Sequence, residues 1–275
     1  MQEGERMSEI VLTPKGSIDI MVEAEVITPD AFAGKSVHEI EALKVWQGPR
    51  QLPLSEFFDV EGSAGTTAEE TTIVITGDVP RVKLIGAGMS AGNVIVEGSA
   101  GMHVGSNMKG GSILVKRDAG SWAGMEMKGG VLHILGNAQD HVGCAYRGSW
   151  HGMTGGRIVI EGNAGSQLGG GMCGGEIIVN GDVENFCAIR QSGGLIVVRG
   201  DAVRAAGAEM TGGTLVVCGH IMQFLPGFEH QGTEHDLTMG DVECAGEFMK
   251  FVGDYAISKR PKGVLYVSRE ANEGL

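Results

Sequence analysis

The chain lacks the features by which many function classes declare themselves. It has no block of consecutive basic residues and a formal net charge of −13, which argues against nucleic acid or an anionic membrane as partner. No apolar run approaches the roughly 18 residues needed to cross a bilayer. Met1–Met7 has no apolar signal-peptide core, so a cytoplasmic location is expected. The cysteines (Cys144, Cys173, Cys187, Cys218 and Cys244) form no C-x-x-C and no metal-ligand spacing, and read as structural thiols. Nor is there a G-x-S-x-G, an H-E-x-x-H or a paired-carboxylate signature. No catalytic, cofactor-binding or metal-ligating residue is therefore assigned. Proline is scarce, at 7 residues, and no Gly-X-Y spacing occurs, so collagen is excluded as well.

What is abundant is glycine, 47 of 275 residues, and its placement is periodic. The pairs Gly110-Gly111, Gly129-Gly130, Gly155-Gly156, Gly174-Gly175, Gly193-Gly194 and Gly212-Gly213 recur every 19 residues, except for one interval of 26 that contains a seven-residue insertion. A period near 20 residues marks a solenoid. Each unit begins with alternating apolar residues, a β-strand pattern, whose inward columns are Val94/Val96, Ile113/Val115, Leu132/Ile134, Ile158/Ile160, Ile177/Val179, Ile196/Val198 and Leu215/Val217. A turn follows at Gly98, Gly136, Gly162, Gly181 and Gly200, where glycine is expected to supply positive φ and the next Ser, Asn or Asp to bond the local backbone. Arg117-Asp118 breaks the glycine rule. Met108, Met127, Met153, Met172 and Met210 form a further column, interrupted by Gln191 and extended upstream by Met89, which reads as stacked core filling.

Nineteen residues cannot hold a helix and two strands, but they suffice for one coil of short strands and corners. Stacked coils satisfy the backbone through parallel ladders. The expected fold is all-β, a right-handed parallel β-helix (solenoid) of about seven 19-residue coils, roughly 30–35 Å long at a strand spacing near 4.8 Å. Residues 1–70 form an α+β lead-in, 71–219 the repeat and 220–275 a C-terminal capping arm. In the lead-in, Ile10 to Val26 suggests one or two strands, Ser36-Val37-His38-Glu39 is a capping box, and Ser55 to Gly65 reads as a connection into the first coil. In the arm, Phe248, Phe251, Tyr255 and Val264–Val267 are expected to supply the buried face.

One column does not suit a rod in water. The outward positions Ile95, Leu114, His133, Val159, Ile178, Val197 and Val216 are apolar in six of seven cases, so either a terminal segment or a partner protein should cover them. The next column (Glu97, Lys116, Leu135, Glu161, Asn180, Arg199, Cys218) could form a polar rim. The insertion, Cys144 to Gly152, carries Tyr146, Arg147 and Trp150, residue types enriched at interface hot spots. The candidate interface is therefore Ile95, Leu114, Val159, Ile178, Val197 and Val216 together with Tyr146, Arg147 and Trp150. His103, Glu126 and His141 occupy outward loop positions of neighbouring coils, a weak parallel to polysaccharide-binding β-helices.

The Gly-Asn-Ala-Gly unit at 162–165 and the Met-x-Gly-Gly units resemble the glycine-motif β-helix shared with the C-terminal domain of the glutamate synthase large subunit. With Ile27-Thr28-Pro29-Asp30, Phe32-Ala33-Gly34-Lys35-Ser36 and Val45-Trp46-Gln47-Gly48, residues 8–270 resemble the C subunit of formylmethanofuran dehydrogenase. Met1–Arg6 extends beyond the family-like start, with Met7 as an alternative first residue. The resemblance implies a cytoplasmic archaeal complex that reduces CO2 and formylates methanofuran in methanogenesis. It implies that other subunits are the partners and hold molybdopterin with Mo or W, iron–sulfur clusters and a dinuclear metal site, with no cofactor in this chain. Alternatives are the C subunit of a bacterial formyltransferase/hydrolase complex, a free-standing glutamate-synthase-like module, or a metal- or substrate-binding subunit acting through His220, His230 and His235.

Overall fold

The computed structural model describes residues 8–275; the opening Met1–Met7, where no signal core is found, lies outside the described residues. The lead-in runs β1 (Ser8–Pro14), β2 (Val22–Glu23), α1 (Pro29–Phe32), α2 (Val37–Glu41), β3 (Lys44–Gln47), β4 (Arg50–Pro53) and β5 (Phe58–Gly62). Next come β6 (Thr71–Ile75), β7 (Val82–Lys83), β8 (Asn93–Val96), β9 (Ser112–Val115), β10 (Val131–Ile134), β11 (Arg157–Ile160) and β12 (Glu176–Val179). The chain ends with β13 (Ser192–Val198), β14 (Ala202–Arg204), β15 (Gly212–Val217), β16 (Ile221–Gln223), β17 (Glu229–Met239), β18 (Val242–Gly253) and β19 (Gly263–Ser268). Among the described residues the protein is thus mostly β, with two short α-helices. Ser36 and Glu39 form the capping box of α2, whose Ile40 is buried.

A 13-stranded sheet dominates the molecule. β1, β6, β8 to β13, β15 and β19 lie side by side and parallel, with equivalent residues of successive repeats in register. The inward columns are β-branched or leucine and fully buried, as their alternation predicts. A second stack joins Val79, Ala100, Ala119, Ala138, Ala164, Val183 and Ala202 by parallel bridges. In a third, Lys109, Lys128, Thr154 and Cys173 donate their N–H groups to the carbonyls of Met89, Met108, Met127 and Met153, one repeat earlier. The methionine column is buried inside these stacks, as expected. Gln191, its polar member, is buried too; its Nε2 donates to the carbonyls of Gly193, Gly194 and Thr214 at 3.1–3.3 Å.

The turn glycines differ from the expectation. Gly181 and its equivalents do not have positive φ; a Cβ at Gly136, Gly162, Gly181 or Gly200 would instead strike the side-chain oxygen of the residue one repeat below, Asn163 in the case of Gly181, and at Gly98 it would strike the backbone of Gly77 and Asp78. The side-chain oxygen is occupied in a ladder. Backbone N–H groups of Ser99, Asn137, Asn163, Asp182, Asp201 and His220 donate at 2.7–2.8 Å to the side chains of Asp78, Asp118, Asn137, Asn163, Asp182 and Asp201. The Asx side chains therefore bond the next repeat, not the local turn. Arg117 is tolerated because the residue below its turn is Ser99, which accepts no such bond among the described residues. Positive φ belongs to the second member of each Gly-Gly pair: Gly175 has φ 84°, and a Cβ there would meet the Met153 methyl.

Both ends depart from the sequence reading. Ser55–Gly65 contains β5, which closes one sheet edge by pairing antiparallel with β1. Ile10–Val26 does hold the expected one or two strands, the greater part of β1 and the two-residue β2, although Ile20 is exposed. After Gly219 the chain forms the long β17–β18 hairpin, and β19 then re-enters the main stack parallel to β15. Phe248, Phe251 and Leu265 are buried as expected, whereas Tyr255 is exposed.

Asn163→Ala should destabilise the protein by about 0.5–1.5 kcal/mol, because the Asp182 N–H exchanges a fixed partner for water at an exposed rung of the ladder. Ser99→Ala, at the missing rung, should change stability little. Urea unfolding of the two variants checks the difference.

Candidate functional site

The stacking register aligns one outward column across the sheet: Val11, Val74, Ile95, Leu114, His133, Val159, Ile178, Val197, Val216 and Tyr266. Burial divides it in two. Ile178, Val197 and Val216 are at most 6% exposed, whereas Val11, Val74, Ile95, Leu114, His133 and Val159 are only half-buried. Val11 and Val74, which extend the open half, fall outside the region where the period was read.

The hairpin is the cause of the division. β18 pairs with β19 only from Phe248 onwards. Its first half, with β17, reaches across the outer face and packs Leu237, Val242, Cys244 and Phe248 on Ile178, Val197 and Val216. Polar contacts fix where it lies: Asp241 at the tip meets Arg157 of β11 at 2.5 Å, and the Glu243 carbonyl accepts from both terminal nitrogens of Arg199 at 3.2 Å. The Asp241–Arg157 pair is solvent-exposed and contributes little energy, so apolar burial holds the hairpin down. Among the sequence candidates, Ile178, Val197 and Val216 are therefore covered by the chain itself. Ile95, Leu114 and Val159 remain open.

A polar rim borders the open half. Lys116 pairs with Glu97 at 2.8 Å, and Glu161 is held by His133 at 2.6 Å and by the Asn180 amide at 2.5 Å. The hydrogen bond from His133, then that from Asn180, holds the Glu161 carboxyl below the usual range. Leu135 is the exposed apolar member of this rim.

The second feature is the insertion. Tyr146, Arg147 and Trp150 are all exposed. Arg147 lies 5.3 Å over the Trp122 ring, and Arg190 lies 4.9 Å over Trp150 while pairing with Glu209 at 2.6 Å. A cavity of about 200 Å3 sits beneath the loop, bounded by Trp122, His141, Cys144, Arg147, Trp150 and Arg190. Trp122 is stacked between His103 (centroids 5.5 Å apart) and His141 (4.4 Å), residues of equivalent corners. All three have positive φ, 63–66°. Burial lowers the pKa of both histidines, and their Nδ1 atoms have no hydrogen-bond partner among the described residues. Glu126 accepts from the Tyr146 N–H at 3.0 Å, so it secures the loop. Trp122 and Arg190 went unremarked in the sequence, although Trp122 sits 19 residues after His103 and 19 before His141.

The C-terminal histidines do not converge. His220 Nδ1 lies 2.9 Å from the Ala271 carbonyl, His230 packs edge-on against Phe251, and His235 stands opposite Glu247 in the hairpin. Among the described residues, no group of three or more His, Cys, Asp or Glu side chains is placed to hold a metal ion. No described helix is long and apolar enough to cross a membrane.

Known proteins resemble this chain closely. The C subunit of molybdenum-containing formylmethanofuran dehydrogenase 1 from Methanosarcina barkeri is 76% identical over 269 residues, covering 98% of this chain and 89% of that protein. The C subunit of tungsten-containing formylmethanofuran dehydrogenase 2 from Methanothermobacter marburgensis is 47% identical over 98 residues, 36% of each chain. Among solved structures, a chain of the formyltransferase/hydrolase complex from Methylorubrum extorquens, crystallised with methylofuran, superposes with a TM-score of 0.82. It is 30% identical, and the match covers 94% of this chain and 99% of that one. No family model matches.

The depressed histidines set a sign for the effect of pH. An unfolded histidine takes up its proton near pH 6.5, and His103 and His141 in the fold only below that. Between those values the unfolded state binds more protons, so stability is fully present above pH 6.5 and declines on acidification. The double variant His103→Phe/His141→Phe should show a smaller drop in Tm between pH 7.5 and pH 5.5 than the wild type.

Proposed function

The chain belongs to the C-subunit family of formylmethanofuran dehydrogenase, and from that premise we propose that it acts as a non-catalytic structural subunit holding other subunits of the complex along its sheet face. One observation carries this reading: an apolar column runs the length of the sheet, and the chain's own hairpin covers only half of it. The open half, centred on Ile95, Leu114 and Val159, is the surface a partner protein of the complex would bury. Tyr146, Arg147 and Trp150 form a second contact in this reading, since aromatic and arginine side chains concentrate binding energy at interfaces. Ile178, Val197 and Val216 serve the intramolecular cover instead.

Several finer features belong to the same proposal. The parallel register at a 19-residue offset supports a right-handed parallel β-helix of about seven coils, spanning residues 71–219. Residues 1–70 would then be the lead-in and 220–275 the capping arm. The relatives are named as molybdenum- or tungsten-containing dehydrogenases. We assign that metal with its molybdopterin, the iron–sulfur clusters and the dinuclear metal site to other subunits, because His220, His230 and Cys144 are already engaged by Ala271, Phe251 and Gln167. We place the complex in an archaeal cytoplasm, the archaeal part in line with the Methanosarcina barkeri relative that covers 98% of this chain.

Leu114→Asp should leave the isolated chain folded, by circular dichroism, and weaken copurification of partner subunits roughly 30-fold or more, as for the loss of a hot spot. Val216→Asp, beneath the hairpin, should unfold or insolubilise the chain itself. Normal subunit stoichiometry with folded Leu114→Asp would sink the docking claim.

A further inference from the structure

The insertion loop closes over a cavity to which the chain contributes positive charge and no negative one. Tyr146, Arg147 and Trp150 of the loop meet Trp122, His141 and Arg190 of the repeats around a space of about 200 Å3. In a chain of net charge −13, two arginines line this cavity and no aspartate or glutamate does. Each guanidinium is held against an indole: Arg147 lies 5.3 Å from the Trp122 ring centre and Arg190 4.9 Å from that of Trp150. The two are not equally engaged. Glu209 takes the Nε of Arg190 at 2.6 Å. Arg147 forms no ion pair and no side-chain hydrogen bond among the described residues. His141 and Cys144 add no charge at neutral pH, since burial lowers the pKa of the one and pushes the other up to about 12.

A second depression, of about 250 Å3, shares two of its walls, Trp150 and Arg190, with the first. The exposed Ile257 lines it, together with His151 and Thr211. Each space is smaller than the roughly 300–1,000 Å3 of a site that encloses a free small molecule. Side by side, the two fit neighbouring side chains of one polypeptide. On the reading of the insertion as a second contact with the complex, on which this rests, we propose that the paired depressions receive a segment of a partner subunit. An aspartate or glutamate of that segment enters the cavity lined by Arg147 and Arg190, and an adjacent apolar side chain covers Ile257.

Desolvation dictates the sign of the occupant. When a partner covers the insertion, Arg147 loses its water, and burying an unpaired charge is strongly unfavourable; the partner must therefore bring an anion. A carboxylate matches the forked donors of a guanidinium, and stacking on an indole orients that fork before binding. Arg190, already held by Glu209, supplies the second positive charge while Arg147 supplies the free donors. Trp150 separates the two depressions and is exposed, so it is the ring that a partner segment would pack against on both sides.

The test uses the intact complex. Arg147→Lys keeps the charge and puts an amine where a zero-length carbodiimide can join it to a touching carboxylate. Mass spectrometry of the treated complex should show position 147 linked to an aspartate or glutamate of another subunit. A link only to carboxylates of this chain, Glu126 included, or no link in an intact complex, would overturn the proposal. Arg147→Gln should leave the chain folded by circular dichroism and weaken copurification of partner subunits roughly 30-fold. If no subunit assembles on the wild-type chain, the broader reading of a structural subunit fails. If Leu114→Asp releases partners while Arg147→Gln holds them as the wild type does, the sheet-face reading stands and the carboxylate site alone falls. The isolated wild-type chain, titrated with sodium acetate against sodium chloride of equal ionic strength, should give no saturating change in tryptophan fluorescence at millimolar concentration. Saturation there would assign the cavity to a free anion and overturn the proposal.

Discussion

Backbone groups of each repeat are satisfied by the repeats on either side of it, and the rest of the structure depends on that constraint. A strand of four residues is too short to be stable by itself, so β8, β9, β10, β11 and β12 exist only as a stack. Each strand must then pair in register with its neighbour, whether the offset is 19 residues or the 26 of the insertion, and every side-chain column follows from that register. The Asx ladder is the clearest case. An Asn or Asp at one height leaves room for nothing larger than glycine at the next, so the turn glycine and the residue after it are coupled across repeats. The methionine and the second glycine of the Gly-Gly pair are coupled the same way at Gly111, Gly130, Gly156, Gly175 and Gly194, through the contact of one methyl with one bare backbone; at Gly213 the Gln191 amide takes the place of the methyl.

A stack of this kind buries its inward face automatically, but its outward face has to be dealt with separately. Here the polar rim is paired along its length, Lys116 with Glu97 and Glu161 with His133 and Asn180. The apolar column beside it is partly covered by a hairpin that leaves the sheet edge and folds back. That hairpin stops at β11, where Asp241 meets Arg157. The division between covered and open residues is therefore set by hairpin length.

The candidate site was unevenly legible. Its apolar column stood out because the repeat aligns equivalent positions, and its insertion loop because it departs from the repeat. Trp122 and Arg190 did not, because each belongs to an ordinary repeat and becomes notable only beside Arg147 or Trp150. The turn glycines were recognised for the wrong physical reason: a single repeat read alone suggests local φ, whereas the steric demand comes from the next repeat. The weak parallel drawn from His103, Glu126 and His141 gave way to a stack around Trp122 and a loop anchor.

The sequence by itself determined the strands, their 19-residue offset, the buried columns and the family resemblance, because each depends on spacing along the chain. Tertiary structure alone decided which part of the outer column is covered and where β19 rejoins the sheet. Those outcomes depend on how far a non-repeating segment reaches when it folds back, and no periodicity records that distance. Val216 and Leu114 occupy equivalent positions in their repeats; only the path of the hairpin buries one and leaves the other open.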